Sequence, residues 1–127
     1  MDNTTLFGLF FGLITKHFII DFLLQTKYQW SNKGTLGHPG GLLHAGLHIM
    51  GTLFVGYWMV PNLMVILTPI AVAEGILHYF IDYGKMNFNE LMEWKPDTSK
   101  YFWWLLGLDQ WAHHCCYLII IILLSLH

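Results

Sequence analysis

Histidines and carboxylates recur four residues apart along this chain: His17 with Asp21, His44 with His48, Glu74 with His78 and Asp82, and Asp109 with His113. Residues at that spacing lie on one face of an α-helix, one turn apart, so each set forms a polar stripe. Imidazole and carboxylate without thiolate is a ligand set for zinc, manganese or iron. His17, Asp21, His44, His48, His78, Asp82, Asp109 and His113 are therefore the candidate metal ligands. They suffice for one or two divalent ions with open coordination positions, zinc first and manganese or iron as alternatives. Two divalent ions would balance Asp21, Glu74, Asp82 and Asp109 if all four are ionised. Glu74 lies two turns deeper than Asp82 on the same stripe. It is the candidate general base, or a carboxylate that orients a ligating histidine.

These polar residues stand in an apolar chain. Of 127 residues, 55% are hydrophobic, 17% aromatic and only 11% charged, against about 25% charged in soluble domains. This excludes an ordinary soluble domain and a disordered chain. A net charge of −2 with no arginine excludes an electrostatic nucleic-acid binder. The composition is that of an integral membrane protein. At bilayer depth each ionisable group costs about 2.5–3.5 kcal/mol even on the lenient insertion scale, so the four carboxylates must be partnered.

The elements that must position them follow from hydropathy. Four segments reach the roughly 20 apolar residues that a bilayer core of about 30 Å requires: 6–25, 41–60, 63–82 and 101–126. The expected fold is all-α, a single transmembrane domain over 1–127 forming a four-helix up-down bundle. Pro69 is tolerated inside the third span. The stretch 34–41, with four glycines and Pro39, reads as a loop. Segment 83–100, with Met86, Phe88, Leu91, Met92 and Trp94 among polar residues, reads as a short amphipathic loop at the membrane surface. Lys27, Lys33, Lys85, Lys95 and Lys100 would all fall on one side, which the positive-inside rule makes cytoplasmic. Both termini would then lie outside, in a bacterial inner membrane. The acidic start and the polar residues of the first span do not fit a cleavable leader. All four polar sets would occupy one layer, in the cytoplasmic half of the bilayer.

Other polar or reactive residues have plainer readings. Cys115 and Cys116 are adjacent and read as small core residues. His114 points about 100° away from His113, and His114 and His127 read as packing residues. Lys16 reads as structural, snorkelling or paired with a carboxylate. Gly8, Gly12, Gly46 and Gly51 suit close helix contacts, within the chain or in a homodimer.

The ordered motifs His17-x3-Asp21-Phe22-x2-Gln25, Lys33, Leu42-Leu43-His44-x3-His48, His78-x2-Ile81-Asp82-x2-Lys85 and Asp109-Gln110-x2-His113 carry a family resemblance. The chain resembles a family of small bacterial and phage membrane proteins known only as a domain of unknown function. More distantly it is similar to inner-membrane metal-dependent hydrolases that scatter His and Asp over short hydrophobic helices. The resemblance implies metal binding and adds Gln25, Lys33, Lys85 and Gln110 to the site. Gln25 and Gln110 enter as partners of the ligands, Lys33 and Lys85 as phosphate-binding point charges at the mouth. The leading expectation is a metal-dependent hydrolase of a lipid-like phosphoester or ester at the cytoplasmic face, with membrane lipid as its surroundings. The alternatives are a di-iron or haem oxidoreductase, a metal-ion or proton transporter, and a non-catalytic metal-binding protein.

Overall fold

The computed structural model describes residues 1–127. It is helical throughout: α1 (Asn3–Phe18) running into a π-helical turn (Ile19–Leu23), α2 (Lys27–Trp30), α3 (Pro39–Met59), a 3-10 turn (Pro61–Leu63), α4 (Met64–Leu91) and α5 (Lys100–Ser125). Four helices are long and apolar enough to cross a membrane: Asn3–Leu23, Pro39–Met59, Pro61–Leu91 and Lys100–Ser125. They close into a ring, with α1 packed on α3 and α5, and α4 packed on the same two neighbours.

The helix starts follow local chemistry. Asp2 accepts a hydrogen bond from Thr5 N at 2.7 Å, and Ser99 Oγ accepts from Tyr101 N at 3.3 Å, each satisfying a first-turn donor. His38 caps α3 through Nδ1, which accepts from Gly40 N at 3.0 Å. Pro39 then occupies the first helical position, where its missing N–H costs nothing. Before it, Gly37 turns the chain with φ +73°, a left-handed conformation that glycine adopts freely.

α4 corrects the sequence expectation. The helix does not stop near Asp82 to release a surface-lying amphipathic loop; it continues unbroken to Leu91. No proline follows until Pro96, and a lone glycine such as Gly84 costs only about 1 kcal/mol in a helix. Tertiary partners hold the extension: Asn87 Nδ2 donates to Gly34 O at 3.0 Å, and Lys85 reaches Asp109. At 28 residues the helix is about 42 Å long. It ends where Trp94 N donates to Asn89 O at 2.9 Å and Glu93 takes φ 55°. Trp94 folds back to stack on Tyr101, with ring centroids 5.2 Å apart.

The interior has two halves. One is an apolar cluster of Leu9, Leu13, Val60, Leu67, Tyr117, Ile120 and Leu124. The other holds the polar residues described below. The outer surface is apolar: Phe7, Phe11, Phe54, Val65, Trp111 and Ile122 are exposed, as the face toward lipid requires. Tyr57 and Trp58 near one end of α3, and Trp103 and Trp104 near the start of α5, are exposed too, matching the aromatic enrichment at membrane surfaces.

Small residues set the helix approach. A Cβ on Gly12 would meet Val55, one on Gly8 would meet Met59 Sδ, and one on Gly51 would meet Ile20 and Lys16. These three glycines thus serve contacts between α1 and α3, and the π-helical turn that follows α1, within the chain. Gly46 faces open space, whereas a Cβ on Gly75 would run into Ile49 of α3. Gly75→Leu is expected to cost about 1–3 kcal/mol by overpacking, and Gly46→Leu to stay within about 0.5 kcal/mol. Unfolding titrations in mixed micelles check the pair; equal losses would refute the contact assigned to Gly75.

Candidate metal centre

The π-helical turn opens the site. Leu24 N donates to Ile19 O at 2.9 Å, an i to i+5 bond that widens the helix at Asp21. Gln25 Nε2 donates to Asp21 O at 2.9 Å and closes that turn. Gln25 therefore contacts the Asp21 backbone and no ligand atom.

Asp21 turns its carboxylate toward α3 and α4. Asp21 Oδ1 lies 3.1 Å from His44 Nε2 and 2.9 Å from His48 Nε2. His78 Nε2 is 3.2 Å from His44 Nε2 and 3.8 Å from Asp21 Oδ1. These four residues form one group able to hold an ion, and His78, Asp82 and His113 form a second. In the second, Asp82 Oδ2 is 3.3 Å from His78 Nε2, and Asp82 Oδ1 is 3.5 Å from His113 Nε2. His44 Nε2 lies 3.5 Å from Asp82 Oδ2, so the two groups adjoin. His78 belongs to both, and one imidazole nitrogen has a single lone pair to give.

Two predicted ligands stand just outside these groups. His17 Nε2 donates to Gln110 Oε1 at 2.9 Å, and Tyr117 OH donates to His17 Nδ1 at 2.8 Å. With both ring nitrogens engaged, His17 orients its neighbours; its Nε2 also lies 3.3 Å from Asp21 Oδ2. Asp109 holds Gln110 Nε2 and Lys85 Nζ through Oδ2, at 3.0 and 3.1 Å. Its Oδ1 is 3.5 Å from His113 Nε2.

The lysines turn inward. Lys33 is buried, and its Nζ sits 2.7 Å from Asp82 Oδ2, though not along a hydrogen-bonding direction. The loop before α3 delivers it, pinned where Gly37 N donates to Tyr79 OH at 2.7 Å. Lys85 is nearly enclosed beside Asp109. Neither is the free charge at the mouth expected from the sequence. Lys16, read from the sequence as snorkelling or paired with a carboxylate, is paired, with Glu74. Its Nζ donates to Glu74 Oε1 at 3.3 Å, to His48 Nδ1 at 3.2 Å and to His48 O at 3.3 Å. An ammonium has only protons to give, so the bond to Nδ1 leaves the His48 proton on Nε2, donated to Asp21. Thr52 Oγ1 donates to Glu74 Oε2 at 2.9 Å. Both oxygens of Glu74 are thus engaged behind the imidazoles, 4.0 Å from His78 Nδ1 at the nearest. That placement suits a carboxylate that holds the histidines better than one that takes a proton from water.

The fit to a metal rests on atoms that protons alone do not satisfy. Both Asp82 oxygens, Asp109 Oδ1 and His113 Nε2 are buried without a hydrogen bond. Such atoms are rare in folded proteins and cost about 1–3 kcal/mol each. The Nε2 and carboxylate atoms instead lie 3.1–3.5 Å apart. Around an ion with bonds of about 2.1 Å, neighbouring tetrahedral ligands are spaced at about 3.4 Å. The charges point to few ions. Lys16, Lys33 and Lys85 leave one negative charge uncompensated among the four buried carboxylates. The sequence arithmetic, which set two divalent ions against four carboxylates, lacked these three ammoniums.

The chain matches the family described as "Protein of unknown function (DUF3307)" over residues 9–127. It belongs to that family. No curated protein and no solved structure matches the chain. For this member of DUF3307, the matched segment contains every residue of the polar layer.

Two results are expected. Purified His44→Ala and Asp82→Ala variants should lose most bound metal by elemental analysis while inserting normally; parental metal content in both would refute the site. Lys16→Met should lower stability by about 3–5 kcal/mol, because it strands Glu74. Adding Glu74→Gln should restore most of that loss, and unfolding in micelles measures both.

Proposed function

We propose that the protein is a metal-dependent membrane hydrolase of a lipid-like phosphoester. The observation that carries this reading is the cluster of buried imidazole and carboxylate atoms without hydrogen bonds, set beside three lysines. The chain runs up-down-up-down, with its lysine-bearing side and polar layer toward the cytoplasm and both termini outside, in a bacterial inner membrane. Zinc suits the histidine-rich donor set, with manganese or iron as alternatives. One divalent ion would turn the residual negative charge into a single positive one, a setting for an anionic ligand.

A divalent ion held there would supply Lewis acidity, lowering the pKa of a water and polarising a phosphoryl oxygen. His44, His78, Asp82 and His113 offer the ligand atoms with Asp21. His48, fixed by Lys16, orients Asp21, and His17 holds Gln110, which in turn donates to Asp109. Asp109 Oδ1, the unpartnered oxygen near His113, would take a proton from the attacking water and return it to the departing alkoxide. Lys33 withdraws charge from Asp82, and Lys85 withdraws charge from Asp109 and keeps N–H donors for a phosphate oxygen.

The apolar half of the bundle weighs against transport. Leu9, Leu13, Leu67, Tyr117 and Leu124 have no exposed surface, and a conducting path would have to cross them. The share of carboxylates weighs against a di-iron oxygenase, and they have no role in bis-histidine haem. A second copy of the chain is a further partner the reading allows, with Gly46 the one of Gly8, Gly12, Gly46 and Gly51 left open to it.

Protein loaded with zinc or manganese should cleave a phospholipid or polyprenyl phosphoester, and chelation should abolish the activity. Asp109→Asn should lower kcat by about 10²–10⁴-fold with little change in KM. The absence of turnover on any lipid phosphoester or ester, in samples that carry metal, would reject the hydrolase reading.

A further inference from the structure

A groove of about 470 Å³ runs between α4 and α5 on the outer face of the bundle. Its volume falls within the usual range of small-molecule sites, about 300–1,000 Å³. Phe80, Phe88, Leu105, Leu108 and Ala112 line it, and its polar residues are Lys85 and Asp109. Phe80, Phe88 and Leu108 are exposed, so the groove opens to the side where lipid lies. Its polar end abuts the candidate metal centre: Asp109 lines the groove, and its buried Oδ1 lies 3.5 Å from His113 Nε2. A larger hollow of about 720 Å³ lies between the 31–35 loop and the 93–98 turn, and none of the candidate ligands lines it.

We infer that this groove is the lipid-binding site: it takes one acyl chain of an anionic phospholipid from the surrounding leaflet and seats the phosphate on Lys85. Three features select that occupant. The apolar walls give an alkyl chain nothing but dispersion contacts and the removal of a lipid-facing hollow. Lys85 offers three N–H donors, of which the bond to Asp109 Oδ2 at 3.1 Å uses one. Lys85 also lies two turns from the end of α4, where a helix of about 42 Å brings it close to the head-group level. A lipid so placed carries its phosphoester toward His113 and Asp82 without leaving the membrane. The inference rests on the hydrolase reading for its substrate class, but lateral binding can be tested apart from turnover.

The protein in lipid nanodiscs, metal-loaded, is labelled with phosphatidic acid carrying a photoreactive acyl chain, and cross-linked peptides are mapped by mass spectrometry. Diacylglycerol with the same chain is the probe that lacks phosphate. Labelling should concentrate on residues 80–88 and 105–112 and be at least 10-fold stronger with phosphatidic acid. Gly84 lines the groove, and a side chain there meets nothing within 4 Å, so Gly84→Phe should fill it. That variant should lose at least 90% of the labelling and keep its metal. Ala112→Phe serves the same purpose should Gly84→Phe fail to insert. Lys85→Gln should remove the preference for phosphatidic acid. Labelling spread evenly over the four spans, or unchanged by both groove-filling variants, overturns the site. Equal labelling by the two probes overturns the assignment of phosphate to Lys85. Groove labelling without turnover would leave this inference standing and count against the hydrolase reading alone.

Discussion

Four carboxylates are buried in a bundle whose outer surface is apolar, and the rest of the arrangement follows from partnering them. A charge at hydrocarbon depth costs several kcal/mol or more, and the hydrophobic effect does not drive helices together there, because lipid tails are as apolar as leucine. Each carboxylate therefore has a partner from elsewhere in the chain. Glu74 on α4 has Lys16 on α1, Asp82 has Lys33 from the loop before α3, and Asp109 on α5 has Lys85 on α4. Asp21 has His44 and His48 on α3. These pairs tie α1 to α4, α4 to α5, and the turn after α1 to α3. Buried pairs of this kind add little net stability, but losing one partner is costly, and that asymmetry selects one packing of the helices.

The same constraint divides the molecule into scaffold and site. The cluster of Leu9, Leu13, Leu67, Tyr117, Ile120 and Leu124 fills one half of the bundle, and the buried polar layer fills the other. Tyr117 joins the two, packing in the cluster while its hydroxyl donates to His17. Behind the imidazoles, the Lys16–Glu74–Thr52 group fixes His48 and lies beside His78. His48 is held through Nδ1 by Lys16 and His17 through Nδ1 by Tyr117, while the Nε2 atoms of His44, His78 and His113 face the carboxylates. Such support from behind is what a metal-binding or catalytic group needs to hold its geometry.

Much of the site was legible because spacing of four is a helical signal and ionisable residues are conspicuous in apolar spans. Asp21, His44, His48, His78, Asp82 and His113 could be selected on that basis, and the structure brings them within contact of one another. The roles of His17, Glu74, Lys33 and Lys85 were harder to read. A lysine near the end of a span has two destinations, the membrane surface or an interior carboxylate, and sequence position is the same for both. Lys33 and Lys85 took the second. The extension of α4 past Asp82 escaped notice for a related reason: Met86, Phe88 and Leu91 fit an amphipathic helix whether it lies on the membrane or continues a span.

The sequence by itself determined the four apolar helices, the polar stripe on each and the shortage of charge that forces those stripes together, because these depend on composition and on a 3.6-residue period. It could not determine which cation meets which carboxylate, or that Asp21 sits on a π-helical turn. Nor could it show that three lysines reduce the buried charge to a single negative unit. Those outcomes depend on contacts between residues up to 100 positions apart, such as His17 and Tyr117. Only the packed bundle, where water is displaced and every buried charge needs a neighbour, decides among them.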